Sequence, residues 1–134
     1  VHGVRAFAPR MIAAGKPGSL INISSQMGHV AGPDRAVYAA NKHALEGMTK
    51  AMAMEYARKP IRINAVAPGG MMTNISDGMT FPEDAEMDLI ARFSGLRGLV
   101  EVDDVADLIA MLASPAGRGY HGACISIDAG ITAG

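Results

Sequence analysis

The chain has 134 residues, of which 49% are hydrophobic, and its 12 Lys and Arg residues nearly balance 13 Asp and Glu residues, for a formal net charge of -1 at pH 7. This composition is typical of one globular domain. The balanced charge, without a basic cluster, argues against a nucleic-acid binder or a polybasic membrane anchor, and no apolar run predicts a transmembrane span. Cys124 is the single cysteine, and no Cys/His spacing indicates a metal site, so we expect a cytoplasmic protein.

The predicted elements alternate between helices and strands. Apolar residues spaced i, i+3, i+4 and i+7 predict a first helix that Gly15 ends. Short, partly β-branched runs bounded by Gly or Pro predict the strands. The longest helix stops before Pro60 and carries Glu46 and Lys50 at the favourable i,i+4 spacing. In order, we predict helix 4–14, strand 19–24, helix 37–58, strand 61–66, helix 82–93, helix 102–113 and strand 124–127.

This order of elements predicts parallel strands joined by crossovers, and therefore an α/β layered sheet. In such sheets the reactive groups gather at the carboxyl ends of the strands. Those ends are predicted at Ser24 and Ser25, at residues 67–69, and at Asp128 and Ala129. Candidate functional residues are therefore expected in these three places.

Tyr38 and Lys42 lie four residues apart at the start of the long predicted helix, so their side chains share one face. An ammonium near a phenol favours the phenolate, which makes Tyr38 a candidate general acid and base. Ser25, at the end of the preceding strand, is placed to hydrogen-bond a substrate oxygen. Taken alone, the Tyr38/Lys42 pair also fits an exposed tyrosine beside a surface lysine.

Four segments together are more specific than that pair. They are the run Ser-Leu-Ile-Asn-Ile-Ser-Ser-Gln-Met-Gly at residues 19–28, Tyr-Ala-Ala-Asn-Lys at 38–42, Ile-Arg-Ile-Asn-Ala-Val-Ala-Pro-Gly at 61–69, and Thr73. As a set they closely resemble the short-chain dehydrogenase/reductase family, whose members include 3-oxoacyl-[acyl-carrier-protein] reductases. The resemblance covers essentially the whole chain. It implies a Rossmann-type, doubly wound parallel sheet.

Members of that family begin with a Gly-rich βαβ half that this sequence lacks, so the resemblance implies that residues 1–134 form one partial domain, the C-terminal catalytic half. Because the chain opens on Val1, we expect the natural start to lie upstream. The stretch at residues 117–122 does read Gly-x-Gly-x-x-Gly, but a helix is predicted before it and a strand after it. We therefore interpret it as a loop and not as the dinucleotide fingerprint.

The resemblance also implies roles for individual residues. Ser25, in preference to Ser24, would hydrogen-bond the substrate oxygen, Tyr38 would be the general acid and base, and Lys42 would support Tyr38 and donate to the cofactor ribose. Asn41 stands where the family more often has Ser or Ala, a change that we expect to be tolerated. The residues expected to hold the nicotinamide end of the cofactor are Tyr38, Lys42, Pro68, Gly69, Met71 and Thr73, and those expected to contact substrate are Ser25, Gln26, Tyr38 and Met72.

The implied function is hydride transfer between a nicotinamide, NAD or NADP, and a small-molecule carbonyl or secondary alcohol. The pocket methionines would include Met71, Met72 and Met79. The resemblance also implies a homodimer or homotetramer for the complete protein, because in the family the helices that correspond to residues 1–14 and 37–58 pair across a two-fold axis. Cys124 is interpreted as a small apolar strand residue without a reactive role.

A second hypothesis comes from another class of function. Since the phosphate-binding half is missing from the sequence, the chain would be a truncated, non-catalytic remnant that acts only by association. Removing the earlier strands would leave one edge of the strand at residues 19–24 unpaired, and such an edge favours association.

Overall fold

The structure is a computed structural model that describes residues 2–74, 80 and 82–133. Within them, three parallel strands form one sheet in the order β1-β2-β3. The strands are β1 (Gly18–Ile23), β2 (Ile61–Pro68) and β3 (Cys124–Ile127), and the helices are α1 (His2–Ala13), α2 (Ala36–Glu55), α3 (Met87–Ala91) and α4 (Val102–Ala113). The predicted α/β fold class is confirmed.

The middle strand is the most deeply buried. Every residue of β2 except Arg62 is buried, as expected for a strand covered on both faces. Its register pairs Gly18 with Ile61 on one side and Ala65 with Cys124 on the other. In the described part of the chain no strand pairs with the outer side of β1, so β1 forms the edge of the sheet.

Two apolar clusters cover the two faces of the sheet. On one face, Ile61 and Ile63 pack with Val4 and Ala8 of α1 and with Met52 of α2. On the other face, the buried cluster consists of Val66, Val100, Val105 and Leu112, the last two from α4. Alternate residues of β2 therefore serve opposite clusters, which is the period-two pattern of a strand. None of the described helices is long and apolar enough to cross a membrane.

Three predictions on local structure are corrected. The helix predicted at 82–93 is helical only over Met87–Ala91, because α3 buries none of its residues and lacks the packing that sustains most helices. The long helix ends at Glu55, three residues early, where the N–H of Tyr56 donates to the carbonyl oxygen of Met52. Glu46 forms no ion pair with Lys50; it is buried and bonded elsewhere, as described below.

The Gly-x-Gly-x-x-Gly stretch is a loop that leads into β3, as predicted. The N–H of Ile63 donates to Nδ1 of His121 at 3.2 Å, so the proton of this ring lies on Nε2, which donates to the carbonyl oxygen of Ala53 at 2.8 Å. Gly122 adopts φ +78° and donates to the carbonyl oxygen of Ile63. These bonds tie the loop to β2 and α2, which is a structural role.

Candidate functional site

A cavity of about 480 Å³ opens at the carboxyl ends of β1 and β2. Its size falls within the range of small-molecule sites. Four stretches of chain form its walls: the turn after β1, the loop into α2 with the start of that helix, the segment after β2, and the end of α3 with the residues that follow. The lining residues are Ser25, Gln26, Met27, Gly32, Pro33, Arg35, Tyr38, Gly69, Gly70, Met71, Thr73, Ile90, Phe93 and Ser94.

Ser25 lies at the head of a short 3-10 turn, Gln26–Gly28, that directly follows β1. Its Oγ accepts a hydrogen bond from the N–H of Met27 at 3.2 Å. The hydroxyl group keeps its hydrogen and a second lone pair, so it can still donate one hydrogen bond and accept another. Because Ser25 lines the cavity, these bonds are available to a ligand there.

Tyr38 and Lys42 share one face at the start of α2. The Lys42 Nζ lies 5.5 Å from the centre of the Tyr38 ring, a distance at which a cation interacts with an aromatic ring. The same Nζ donates to the carbonyl oxygen of Ile23 at 2.9 Å. That bond ties the lysine to the end of β1, close to the tyrosine but outside the cavity lining.

The segment after β2 contributes three of the residues predicted to hold a cofactor. Gly69, Met71 and Thr73 line the cavity, whereas Pro68 is buried as the last residue of β2. A Cβ on Gly69 would lie 2.7 Å from the Cα of Asp128, so glycine is required there by the close approach of the end of β3.

The methionines predicted in the pocket have different positions. Met71 lines the cavity. Met72 is 67% exposed and is not part of the lining. Met79 lies outside the described residues. The placement of Met71 is consistent with contact with a ligand in the cavity.

Gln26 is held in the cavity wall rather than in solvent. It is only 8% exposed, and its Nε2 donates to the carbonyl oxygen of Phe93 at 3.3 Å, which joins the turn after β1 to the segment after α3. Its Oε1 is buried and has no hydrogen-bond partner among the described residues. Gln26 therefore shapes the cavity, and its placement keeps it a candidate for substrate contact.

The residue that supports the Ser25 wall from behind is not among those predicted from the sequence. Glu46, 5% exposed, accepts a hydrogen bond from Ser24 Oγ at 2.8 Å through Oε1, and its Oε2 lies 3.2 Å from Nδ1 of His29. The turn between Ser24 and His29 is thus fixed at both ends by one carboxylate. The available signal was helical spacing, since Glu46 falls on the same stripe of α2 as Ala39 and Ala53, both buried.

Other polar residues near the strand ends have structural roles. The carboxylate of Asp128 accepts from the N–H groups of Gly130 and Thr132, both at 3.1 Å, and so closes the turn after β3. Burial, and to a smaller extent the Glu46 carboxylate, raises the pKa of the Cys124 thiol, against a lowering by Lys50. A thiol of this kind is a poor nucleophile, in keeping with the role predicted for it. No group of three metal-binding side chains occurs in the part of the chain that the structure describes.

The family model described as "Enoyl-(Acyl carrier protein) reductase" matches residues 1–132. Carbonyl reductase [NADPH] 2 from Sus scrofa is 36% identical over 126 residues, which are 94% of this chain and 51% of that protein. The chain thus spans about half the length of the curated relatives that it matches.

Solved structures also resemble this chain over nearly its whole length and over about half of their own. A 4-hydroxyisoleucine dehydrogenase mutant complexed with NADH and succinate superimposes with a TM-score of 0.82 at 37% identity, covering 97% of this chain and 53% of that one. A short chain dehydrogenase from Mycobacterium paratuberculosis bound to NAD gives a TM-score of 0.84 at 32% identity, covering 98% and 51%. The three-stranded sheet therefore corresponds to the C-terminal part of these Rossmann folds.

Proposed function

The chain belongs to the short-chain dehydrogenase/reductase family, and on that premise we propose that it carries the proton-transfer site of an NAD- or NADP-dependent oxidoreductase. Its substrate would be a small carbonyl compound or secondary alcohol. The observation that carries the proposal is that Ser25 and Tyr38 line one cavity while Lys42 is fixed beside the tyrosine.

The residues present fit the nicotinamide end of such a cofactor. Gly69, Gly70, Met71 and Thr73 line the same cavity as Tyr38, and the relatives that support this assignment hold NADH or NAD or are named for NADPH. When bound, a nicotinamide supplies or accepts a hydride at the carbon that bears the substrate oxygen. Residues 69–73 would hold its carboxamide end, with Lys42 donating to the ribose.

The chain's own residues act on the substrate oxygen. Ser25 donates its hydroxyl hydrogen to that oxygen and so orients it, while the bond from the Met27 N–H holds the serine oxygen in place. Tyr38 gives its proton to the oxygen when a carbonyl is reduced and takes the proton back when an alcohol is oxidised. The apolar side chains of Met27, Ile90 and Phe93 in the wall reduce the access of water.

Lys42 supports this proton transfer electrostatically. An ammonium close to the ring stabilises the negative charge that Tyr38 carries after it has released its proton. The bond from Nζ to the carbonyl oxygen of Ile23 holds the cation in place before substrate arrives. The lysine is therefore pre-organised, which is how charged groups contribute most to a reaction rate.

The test uses the full-length protein and follows NADH and NADPH absorbance with a panel of secondary alcohols and ketones. Tyr38→Phe is expected to lower kcat by about 100- to 10,000-fold, the usual contribution of a general acid or base. Tyr120→Phe is the matched control, because Tyr120 is 41% exposed against 44% for Tyr38 and lies away from the cavity. Equal turnover by the two variants would refute the proposal.

One observation favours the alternative of a chain that acts only by association. The outer edge of β1 is unpaired among the described residues, and open strand edges promote pairing with other chains. If the natural polypeptide associates but shows no cofactor-dependent turnover, the alternative stands. A monodisperse protein that turns over NADH excludes it.

A further inference from the structure

Three Lys or Arg side chains of the described chain are half-buried: Arg35, Lys42 and Arg62. Two of them are bonded to main-chain carbonyl oxygens. Lys42 donates to Ile23, and the guanidinium of Arg62 donates to Gly117 at 2.7 Å and to Ser114 at 3.2 Å. The Arg35 guanidinium has no hydrogen bond or ion pair with any described residue.

Arg35 lies in the cavity wall, three residues before Tyr38, at the position that caps the start of α2. It is the one charged residue among the described residues that line the cavity. Its neighbour Asp34 is exposed, is not part of that lining, and forms no ion pair with it. The first turn of α2 contains no acidic residue either. The positive charge is therefore uncompensated within the described part of the chain.

An arginine in this situation is suited to an anionic ligand. Its planar group offers paired donors that match a carboxylate, and such charge-assisted pairs strengthen as water is excluded. Much of the rest of the wall is apolar, with Met27, Ile90 and Phe93 contributing side chains, and this favours a short hydrocarbon skeleton between the charged group and the reacting carbon. The cavity of about 480 Å³ has the size of a small-molecule site, and the nicotinamide would take up part of it.

We propose that Arg35 binds a carboxylate of the substrate, so that the preferred substrates are small hydroxy acids and the corresponding oxo acids. This proposal rests on the proposed function and narrows its substrate class. The arginine would fix one end of the molecule while Ser25 and Tyr38 bind the oxygen at the reacting carbon. Arg35 is thus a specificity-determining residue, distinct from the proton-transfer group.

The test compares C4 to C8 hydroxy acids with their primary amides, which keep the shape and lose the charge, as substrates of the full-length protein. Arg35→Met is expected to lower kcat/KM for the acids by about 10- to 100-fold, mainly through KM, and to change the value for the amides by less than about 3-fold. Arg35→Lys, which keeps the charge without the paired donors, should fall between. Arg118→Met, at an exposed arginine outside the cavity, is the control.

Equal losses for acids and amides, or no loss for either, would overturn the proposal. A binding measurement separates this result from failure of the proposed function. Calorimetric titration with succinate should show weaker binding to the Arg35→Met protein than to the Arg118→Met protein, and equal affinities would again overturn it. The proposed function itself fails on a different result, full turnover by Tyr38→Phe.

Discussion

Two walls of the cavity are held in different ways. Behind the wall that carries Ser25, the buried carboxylate of Glu46 is bonded through one oxygen to Ser24 and is paired through the other with His29. In the wall at the start of α2, the Arg35 guanidinium and the Tyr38 hydroxyl have no hydrogen-bond partner among the described residues. The Glu46 carboxylate thus has partners inside the protein on both oxygens, whereas Arg35 and Tyr38, which line the cavity, have side chains without internal partners in the part of the chain that the structure describes.

The side chains behind the first wall hold the turn after β1 in position, whereas those of the second wall are proposed to act on the substrate. Buried polar groups in proteins are normally hydrogen-bonded, so the network around Glu46 follows the ordinary rule of folding. Tyr38 is 44% exposed and Arg35 is half-buried, so their polar groups can bond water or a ligand, and a few polar groups in a largely apolar cavity are typical of a small-molecule site. The bonds of Glu46 hold the turn that carries Ser25, and we propose that Arg35 and Tyr38 of the other wall bind the substrate together with Ser25.

The largest effect on stability is expected from Glu46→Ala. It leaves Ser24 Oγ without its acceptor and His29 without its partner, and it opens a cavity behind the turn. The free energy of unfolding of the full-length protein should fall by about 3 kcal/mol in urea titrations. Glu46→Gln, which keeps an acceptor and the shape, should lose about 1 kcal/mol.

The control for that prediction is Glu55→Ala, since Glu55 is exposed at the end of the same helix. A substitution there should change stability by no more than about 0.5 kcal/mol. If Glu46→Ala lowered the free energy of unfolding no more than Glu55→Ala, the Ser25 wall would not depend on the Glu46 carboxylate. The two walls would then not differ in the way described above.

A smaller effect is expected at the glycine that faces the same carboxylate. A Cβ on Gly28 would lie 2.0 Å from Oε1 of Glu46 and 2.7 Å from Oγ of Ser24, so Gly28→Ala must displace the network and should cost about 2 kcal/mol. Gly47 is the matched position on α2, where a Cβ meets nothing within 4 Å. Gly47→Ala should stabilise the protein by about 0.5 to 1 kcal/mol. Thermal unfolding of both variants measures the two changes in stability. If Gly28→Ala left the stability unchanged, the network around Glu46 would not be as closely packed as the structure indicates.

The smallest effect concerns pH. Burial raises the pKa of the Cys124 thiol above its ordinary value of 9.0, so the unfolded chain releases this proton more readily than the folded one. The associated stability is fully present below the unfolded pKa and is lost as pH rises through and above it. The difference in unfolding free energy between wild type and Cys124→Ala should be constant below about pH 8 and should shift against the wild type toward pH 11. A difference independent of pH would show that burial does not affect this thiol.

Local patterns in the sequence predicted most of the fold and part of the site. Short β-branched runs bounded by Gly or Pro predicted all three strands, and the rule that reactive groups gather at strand ends led to Ser25 and to the segment after β2. The helix at 82–93 was overestimated because composition gives propensity but not packing, and α3 has no buried face. The i,i+4 spacing to Lys50 predicted a surface ion pair for Glu46. The burial of Glu46 instead depends on the turn that begins at Ser24, which lies 22 residues earlier in the sequence.

The position of Arg35 in the cavity wall could likewise not be predicted from the sequence. In the sequence it is one of 12 Lys and Arg residues, with nothing local to distinguish it. Its position becomes meaningful once the fold shows that Arg62 and Lys42 have carbonyl partners while Arg35 lines the cavity. Which charges are satisfied is a property of tertiary structure and cannot be obtained from spacing.

Hydride transfer supported by Tyr38 can be followed with an isotope. The full-length protein is incubated with NADH or NADPH deuterated at the transferable C4 position and with an oxo acid, and the product is analysed by mass spectrometry. We expect deuterium on the carbon that bears the new hydroxyl group, and we expect the labelled product to form at least about 100 times more slowly with Tyr38→Phe than with Tyr120→Phe. Product without the label, or equal rates for the two variants, would contradict this expectation.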